Sequence, residues 1–246
     1  MHVIGVLRVM IHKLKLLLLT VIMVCFVDIV FSQNNDVIWI IQPQFDGAED
    51  FHEGMARVKI DGKWGFVTKE GKIIQPQFDY ADNFHEGMAR VEIDGQWGYI
   101  NKEGTLIIQP QFDEAWFFQE GMARVEKNGK WGFVTKEGKI IQPQFDYAWL
   151  FQEGMAPVTI DGKWGYINKE GTWIIQPQFD RAEDFHEGMA SVEKNGKWGY
   201  INKKGTWIIK PQFDEVGFFH EGMACVEKNG KYGFVTKEGK IIQPQF

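Results

Sequence analysis

The chain has 246 residues, 44% of them hydrophobic and 24% charged, with a net charge of −6. That balance excludes a disordered chain and a bundle of membrane helices. An acidic chain repels phosphate backbones, which excludes nucleic acid as a partner.

Residues 1–32 differ from everything after them. Lys13 and Lys15 precede an apolar run over 16–27, and Val30 and Ser32 are small residues ahead of Gln33. This is the pattern of a cleavable signal peptide, with the cut expected after Ser32. The run is shorter than the roughly 20 residues a membrane helix needs, so no stable transmembrane span is expected in the mature chain. Cys25 lies inside the apolar run behind the bulky Met23-Val24, which argues against lipid attachment. Removing the leader takes away three basic residues and one acidic one and leaves a charge of −8. Cys225 is then the only cysteine, so burial and hydrogen bonds rather than an intrachain disulfide must hold the fold.

From residue 33 onward the chain is periodic. The motif Ile-Ile-(Gln/Lys)-Pro-Gln-Phe begins at Ile40, Ile73, Ile107, Ile140, Ile174, Ile208 and Ile241, at spacings of 33 or 34 residues. Residues 62–81 and 129–148 are identical, which points to duplication of a two-unit block. Such periods mark solenoids, propellers or arrays. The units fall near 40–72, 73–106, 107–139, 140–173, 174–207 and 208–240, with a partial unit at 241–246. Together they make one domain over 33–246.

Within the unit that starts at Gly121, one strand is predicted over 122–126 and a second over 130–134. Asn128-Gly129 between them is the signature of a type I′ hairpin, whose central residues both need positive φ. A third strand is predicted over 139–142, ended by Pro143, which lacks an N–H for the ladder. Residues 144–153 read as a connection, too short and too poorly capped for a helix. Each unit is thus a three-stranded meander, stable only when stacked on its neighbours. The fold class is all-β, a tandem array of about six such meanders. The third strand occurs once more often than the other two, which favours an open, solenoid-like stack over a closed β-propeller.

The core of each unit reads Lys63-Trp64-Gly65, Gln96-Trp97-Gly98, Lys130-Trp131-Gly132, Lys163-Trp164-Gly165, Lys197-Trp198-Gly199 and Lys231-Tyr232-Gly233. With the preceding Glu-Gly-Met-Ala and the following Ile-Ile-x-Pro-Gln-Phe, it resembles the bacterial WG (KWG) repeat family over about residues 37–246. Gln96 and Tyr232 are the departures. The resemblance implies a β-rich repeat module and transfers no catalytic residue.

Four columns of recurring residues bear on chemistry. Trp64, Trp97, Trp131, Trp164, Trp198 and Tyr232 are expected to be the structural core, each indole N–H bonded to backbone, rather than a ladder for ligands. His52, His85, Gln119, Gln152, His186 and His220 each precede a Glu. Gln is a poor zinc ligand, so no metal is expected there, and the Glu should accept backbone N–H bonds in a turn. Asp46, Asp79, Asp113, Asp146, Asp180 and Asp214 follow each Gln-Phe and are expected to start an Asx turn rather than bind calcium. After residue 32 the only serine is Ser191, and no nucleophile, phosphate or zinc-protease motif occurs. No enzyme activity and no cofactor are expected.

The variable positions carry the binding hypothesis. Where other units have acidic residues, Trp116, Phe117, Trp149, Leu150 and Phe218 are large and apolar, and such a group marks a contact patch. The sequence therefore reads as a secreted or envelope-associated, non-catalytic scaffold that binds a protein partner. The alternative is a module that binds an envelope glycan through its aromatics.

Overall fold

The structure, a computed structural model, describes residues 40–242; the leader lies outside them. The described chain forms six antiparallel sheets of four strands each. In the first, the strands are Gly47–Ala48, Met55–Ile60, Lys63–Thr68 and Ile73–Phe78, and in the third Glu114–Ala115, Met122–Lys127, Lys130–Thr135 and Ile140–Phe145. Strands pair in chain order within each sheet.

The hairpin expected at Asn128-Gly129 is there. Its φ values are 54° and 74°, and Lys127 faces Lys130 across a two-residue loop. Its counterparts in the other five units also combine positive φ at Asp or Asn with positive φ at Gly.

Three features correct the meander. First, the supposed connection contains a fourth, opening strand of two residues. Tyr147–Ala148, for example, pairs with Thr159 and Val158. Second, it contains another tight hairpin. Glu120 and Gly121 take φ values of 50° and 77°, and Gln119 and Met122 exchange backbone hydrogen bonds across them. Third, Pro143 does not end its strand, which continues to Phe145. Ile140–Phe145 is the outer edge of its sheet, where the missing N–H costs no ladder bond.

The glycine after each Trp is explained by that last strand. A Cβ on Gly132 would sit 2.4 Å from the Ile141 carbonyl oxygen and 2.7 Å from the Pro143 nitrogen. The register shifts between Trp131 and Phe133, so the two backbones close together over a residue without a side chain.

Each sheet packs against the next, and five clusters fill the interfaces. Met122, Phe133, Ile141 and Phe145 of the third sheet meet Ala148, Phe151, Ala156, Val158 and Ile167 of the fourth. Ala123, Val125 and Val134 point the other way, into the cluster shared with the second sheet. The two-residue period of a strand therefore feeds two cores alternately, and the middle sheets are buried on both faces. Among the described residues no strand pairs the first sheet with the sixth, and side-chain hydrogen bonds between sheets join sequence neighbours only. The sheets form an open array, but not for the reason the strand count offers: residues 40–43, at the first copy of the motif, form no strand, and among the described residues each strand of the unit occurs six times.

The Trp column is not the core. Trp64, Trp97, Trp131, Trp164 and Trp198 are half-buried and pack against the edges of the clusters, and Tyr232 is 60% exposed. The buried aromatic lies two residues later, as Phe66, Tyr99, Phe133, Tyr166 and Tyr200. Among the described residues no indole N–H of this column donates to the backbone.

Candidate binding surface

Three bands of side chains run from sheet to sheet, and each is built by the turns described above. The first is carried by the Glu-Gly hairpins. Glu120 accepts the N–H groups of Glu153 and Gly154 at 2.7 and 2.8 Å, and Lys169 pairs with it at 3.2 Å. Glu53 and Glu187 do the same for the hairpins that follow them. The sequence correctly makes these carboxylates acceptors of turn N–H groups, but the turn belongs to the next unit. Glu occupies a left-handed position at a cost of about 1 kcal/mol because its carboxylate clamps the neighbouring sheet.

The His/Gln column reads in the same terms. His52 Nδ1 lies 2.8 Å from the Phe84 carbonyl, and Gln119 Nε2 donates to the Phe151 carbonyl at 3.0 Å. Both residue types present an N–H to the same acceptor, which is why they interchange. Among the described residues no three His, Cys, Asp or Glu gather as a metal site.

The clamps carry a pH dependence. Burial pushes Glu53, Glu86, Glu120 and Glu153 upward, but the backbone N–H groups and the paired lysines outweigh it and hold all four below the usual carboxylate range. At Glu187 the Lys237 hydrogen bond dominates, in the same direction. A depressed folded value gives stability that is present above the unfolded pKa and lost as pH falls through the folded one. The urea midpoint is expected to hold from pH 7 to 5 and to fall below pH 4. Glu120→Gln should cost about 1 kcal/mol at pH 7 and reduce that acid dependence. A midpoint unchanged down to pH 3 would refute the clamp.

The Asp column forms a second set of ties. Asp146 Oδ2 accepts the N–H of Asp161 at 2.7 Å, inside the hairpin of the following sheet, while Oδ1 pairs with Lys130. All six Asp residues make the equivalent bond to that hairpin. The expected Asx turn is thus replaced by a bond that spans 15 residues.

The third band lies along the Trp column. Arg57 stands 5.2 Å from the Trp64 ring, Arg90 4.8 Å from Trp97, and Arg124 4.2 Å from Trp131. Each guanidinium also donates to an alanine carbonyl in the next sheet, at Ala81, Ala115 and Ala148. Sequence reasoning missed these arginines. The signal was present in the first three units, where the residue between Ala and Val of the Met-Ala-x-Val strand is Arg, but without topology it reads as one more surface charge.

The five apolar patch residues divide. Trp116 covers Arg124 at 4.4 Å, and Arg124 also reaches Tyr147, whose ring lies 5.4 Å from Trp149. Trp116 and Trp149 are thereby joined, and both are about 40% exposed. Phe117 and Phe218 instead lie against the histidine column, 4.9 Å from His85 and 4.3 Å from His186. Leu150 is half-buried.

The family model described as the WG containing repeat matches the chain six times, over residues 39–64, 64–97, 97–131, 131–164, 164–198 and 198–232. No curated protein matches the sequence. Similar solved structures include Kluyveromyces lactis Hsv2p, at 8% identity and a TM-score of 0.38 over 78% of this chain and 75% of that one. A eukaryotic initiation factor matches at 10% identity and a TM-score of 0.44, over 82% and 66%. The extracellular domain of a hybrid two component system of B. thetaiotaomicron matches at 12% identity and a TM-score of 0.36, over 79% and 33%. Likenesses of this strength carry no functional argument.

Proposed function

The chain belongs to the family of WG-containing repeats, and from that membership we propose that it is a secreted or envelope-associated scaffold that binds a protein partner through the surface around Trp116 and Trp149. Repeat families on all-β arrays are typical of non-catalytic binding and scaffold modules. Among the described residues no helix is long and apolar enough to cross a membrane. Export rests on the leader sequence around Lys13, Lys15 and the apolar run that follows, and N-terminal sequencing of the mature protein is its check, with Gln33 as the expected first residue.

One observation carries the binding reading. Trp116 and Trp149 are about 40% exposed at a position where the first, second and fifth sheets place Glu49, Asp82 and Glu183. A side chain that the fold does not require, and that remains in solvent, is available for a contact. The double variant Trp116→Asp, Trp149→Asp is expected to fold, because Asp82 already occupies this position beside Arg90 at 2.9 Å. Partner capture from the envelope fraction should fall at least tenfold, the loss of about 1.4 kcal/mol or more typical of an aromatic anchor. Unchanged capture by the folded variant would remove these residues from the interface. Binding of an envelope glycan, with quenching of tryptophan fluorescence, would assign the surface to sugar instead.

A further inference from the structure

The arginine band stops halfway along the array. Arg57, Arg90 and Arg124 face Phe66, Tyr99 and Phe133 in register, and the same register positions in the last three sheets hold Pro157, Ser191 and Cys225. In the first three sheets the structure shows what fills the space above this residue: a guanidinium. It lies on the Trp face, pairs with a carboxylate of its own sheet where one is present (Glu49 for Arg57, Asp82 for Arg90), and donates to a main-chain carbonyl of the next sheet.

At Ser191 the guanidinium is gone and its surroundings remain. Trp198 supplies the ring and Glu183 stands where Glu49 stands in the first sheet. Val216 takes the place of Ala81, Ala115 and Ala148, with the same pairing to a Val of the second strand. A cavity of about 480 Å³ opens there, lined by these groups with Glu215 and Phe218. Ser191 is buried and too short to reach across it. Burial raises the Glu183 carboxyl, and among the described residues no cation pairs with it within 4 Å. Arg181, also at the wall, is directed to Glu193 at 3.5 Å and is largely exposed. The Pro157 position differs, because Trp149 rather than a carboxylate stands beside it.

We propose that the cavity between the fifth and sixth sheets is a binding site for the guanidinium of an arginine side chain presented by another polypeptide. The three internal arginines are its template. All three show that this geometry accepts a planar cation on an indole with a carbonyl on one side, and Arg57 and Arg90 show it with a carboxylate on the other. Guanidinium is favoured over ammonium because it stacks flat and donates in two directions at once. The proposal stands apart from the patch around Trp116 and Trp149, since Glu183, Ser191 and Trp198 do not belong to that patch. Either can fail without the other.

The test titrates the full chain with acetyl-Gly-Arg-Gly-amide by calorimetry, while the indole N–H resonance of Trp198, identified with Trp198→Phe, reports the site. The Arg peptide should bind saturably and about tenfold more tightly than acetyl-Gly-Lys-Gly-amide. Ser191→Arg restores the internal occupant. It should raise the thermal midpoint and weaken peptide binding at least tenfold. Glu183→Gln, which keeps the shape of the wall, should weaken binding as well, and it serves if Ser191→Arg fails to fold. Equal affinity for the Lys peptide, no saturable binding, or full binding by folded Ser191→Arg would each overturn the proposal. Guanidinium ion binding as tightly as the peptide would overturn the assignment to a polypeptide arginine.

Discussion

Gly132→Ala is expected to lower the stability of the array by about 3 kcal/mol or more, among the largest effects of any single methyl group added to this chain. The added Cβ would lie 2.4 Å from the Ile141 carbonyl oxygen and 2.7 Å from the Pro143 nitrogen. Both are backbone atoms of the neighbouring strand, so no side chain can rotate away, and the strand Ile140–Phe145 must move bodily off Lys130–Thr135. Gly129→Ala, three residues earlier, is the control. Its φ is 74° and a Cβ there meets nothing within 4 Å, so it should cost only about 1 kcal/mol of left-handed strain. Urea unfolding of the two variants separates close approach from conformational preference. Equal losses would mean that the invariant spacing of Trp and Gly serves the turn and not the crossing strand.

Phe133→Ala should cost about 3–5 kcal/mol. The ring is fully buried, lies edge-on to Phe151 at 4.9 Å, and sits at the centre of the interface between the third and fourth sheets. Because among the described residues each core cluster joins only two consecutive sheets, the damage should be local, with amide exchange accelerated at that interface before the distant sheets open. Phe234 occupies the same register position in the sixth sheet but is 50% exposed, and Phe234→Ala should cost under about 1 kcal/mol. A similar loss at both positions would show that the ring matters to its own sheet and not to the interface.

The contrast between Phe133 and Trp131 shows where sequence reasoning reaches its limit. Periodicity, the Asn-Gly and Asp-Gly turns and the long strands could be read directly, because each rests on local chemistry: positive φ at two consecutive residues, or alternation of apolar side chains. The opening strands could not, since two residues such as Tyr147–Ala148 display no period. The Glu120-Gly121 hairpin was missed because Glu is a poor left-handed residue, and its reward lies in the next unit. Trp131 reads as core in the sequence because its column hardly varies and follows the hairpin turn at a fixed distance. The register places it at the sheet margin beside Arg124, while the smaller Phe133 enters the interface. Burial here depends on which face meets the next sheet, and that is a property of stacking rather than of the unit. For the same reason the candidate patch could be proposed from residue type, but its division between the Arg124 side and the histidine side could not.

Phe145 ends one sheet, Asp146 follows, and Tyr147 begins the next. That single residue gives the array a mechanical character. One intervening residue spans at most about 7 Å, so the covalent link holds no slack to pay out under tension. A pull on the chain passes straight from the outer edge of one sheet into the opening strand of its neighbour. Asp146 itself is bonded to Lys130 behind it and to the Asp161 turn ahead, which braces the joint from both sides. Stretched end to end, the protein should resist as a series of stiff elements and then release length in discrete steps of about one repeat, rather than extend smoothly as a string of tethered beads would.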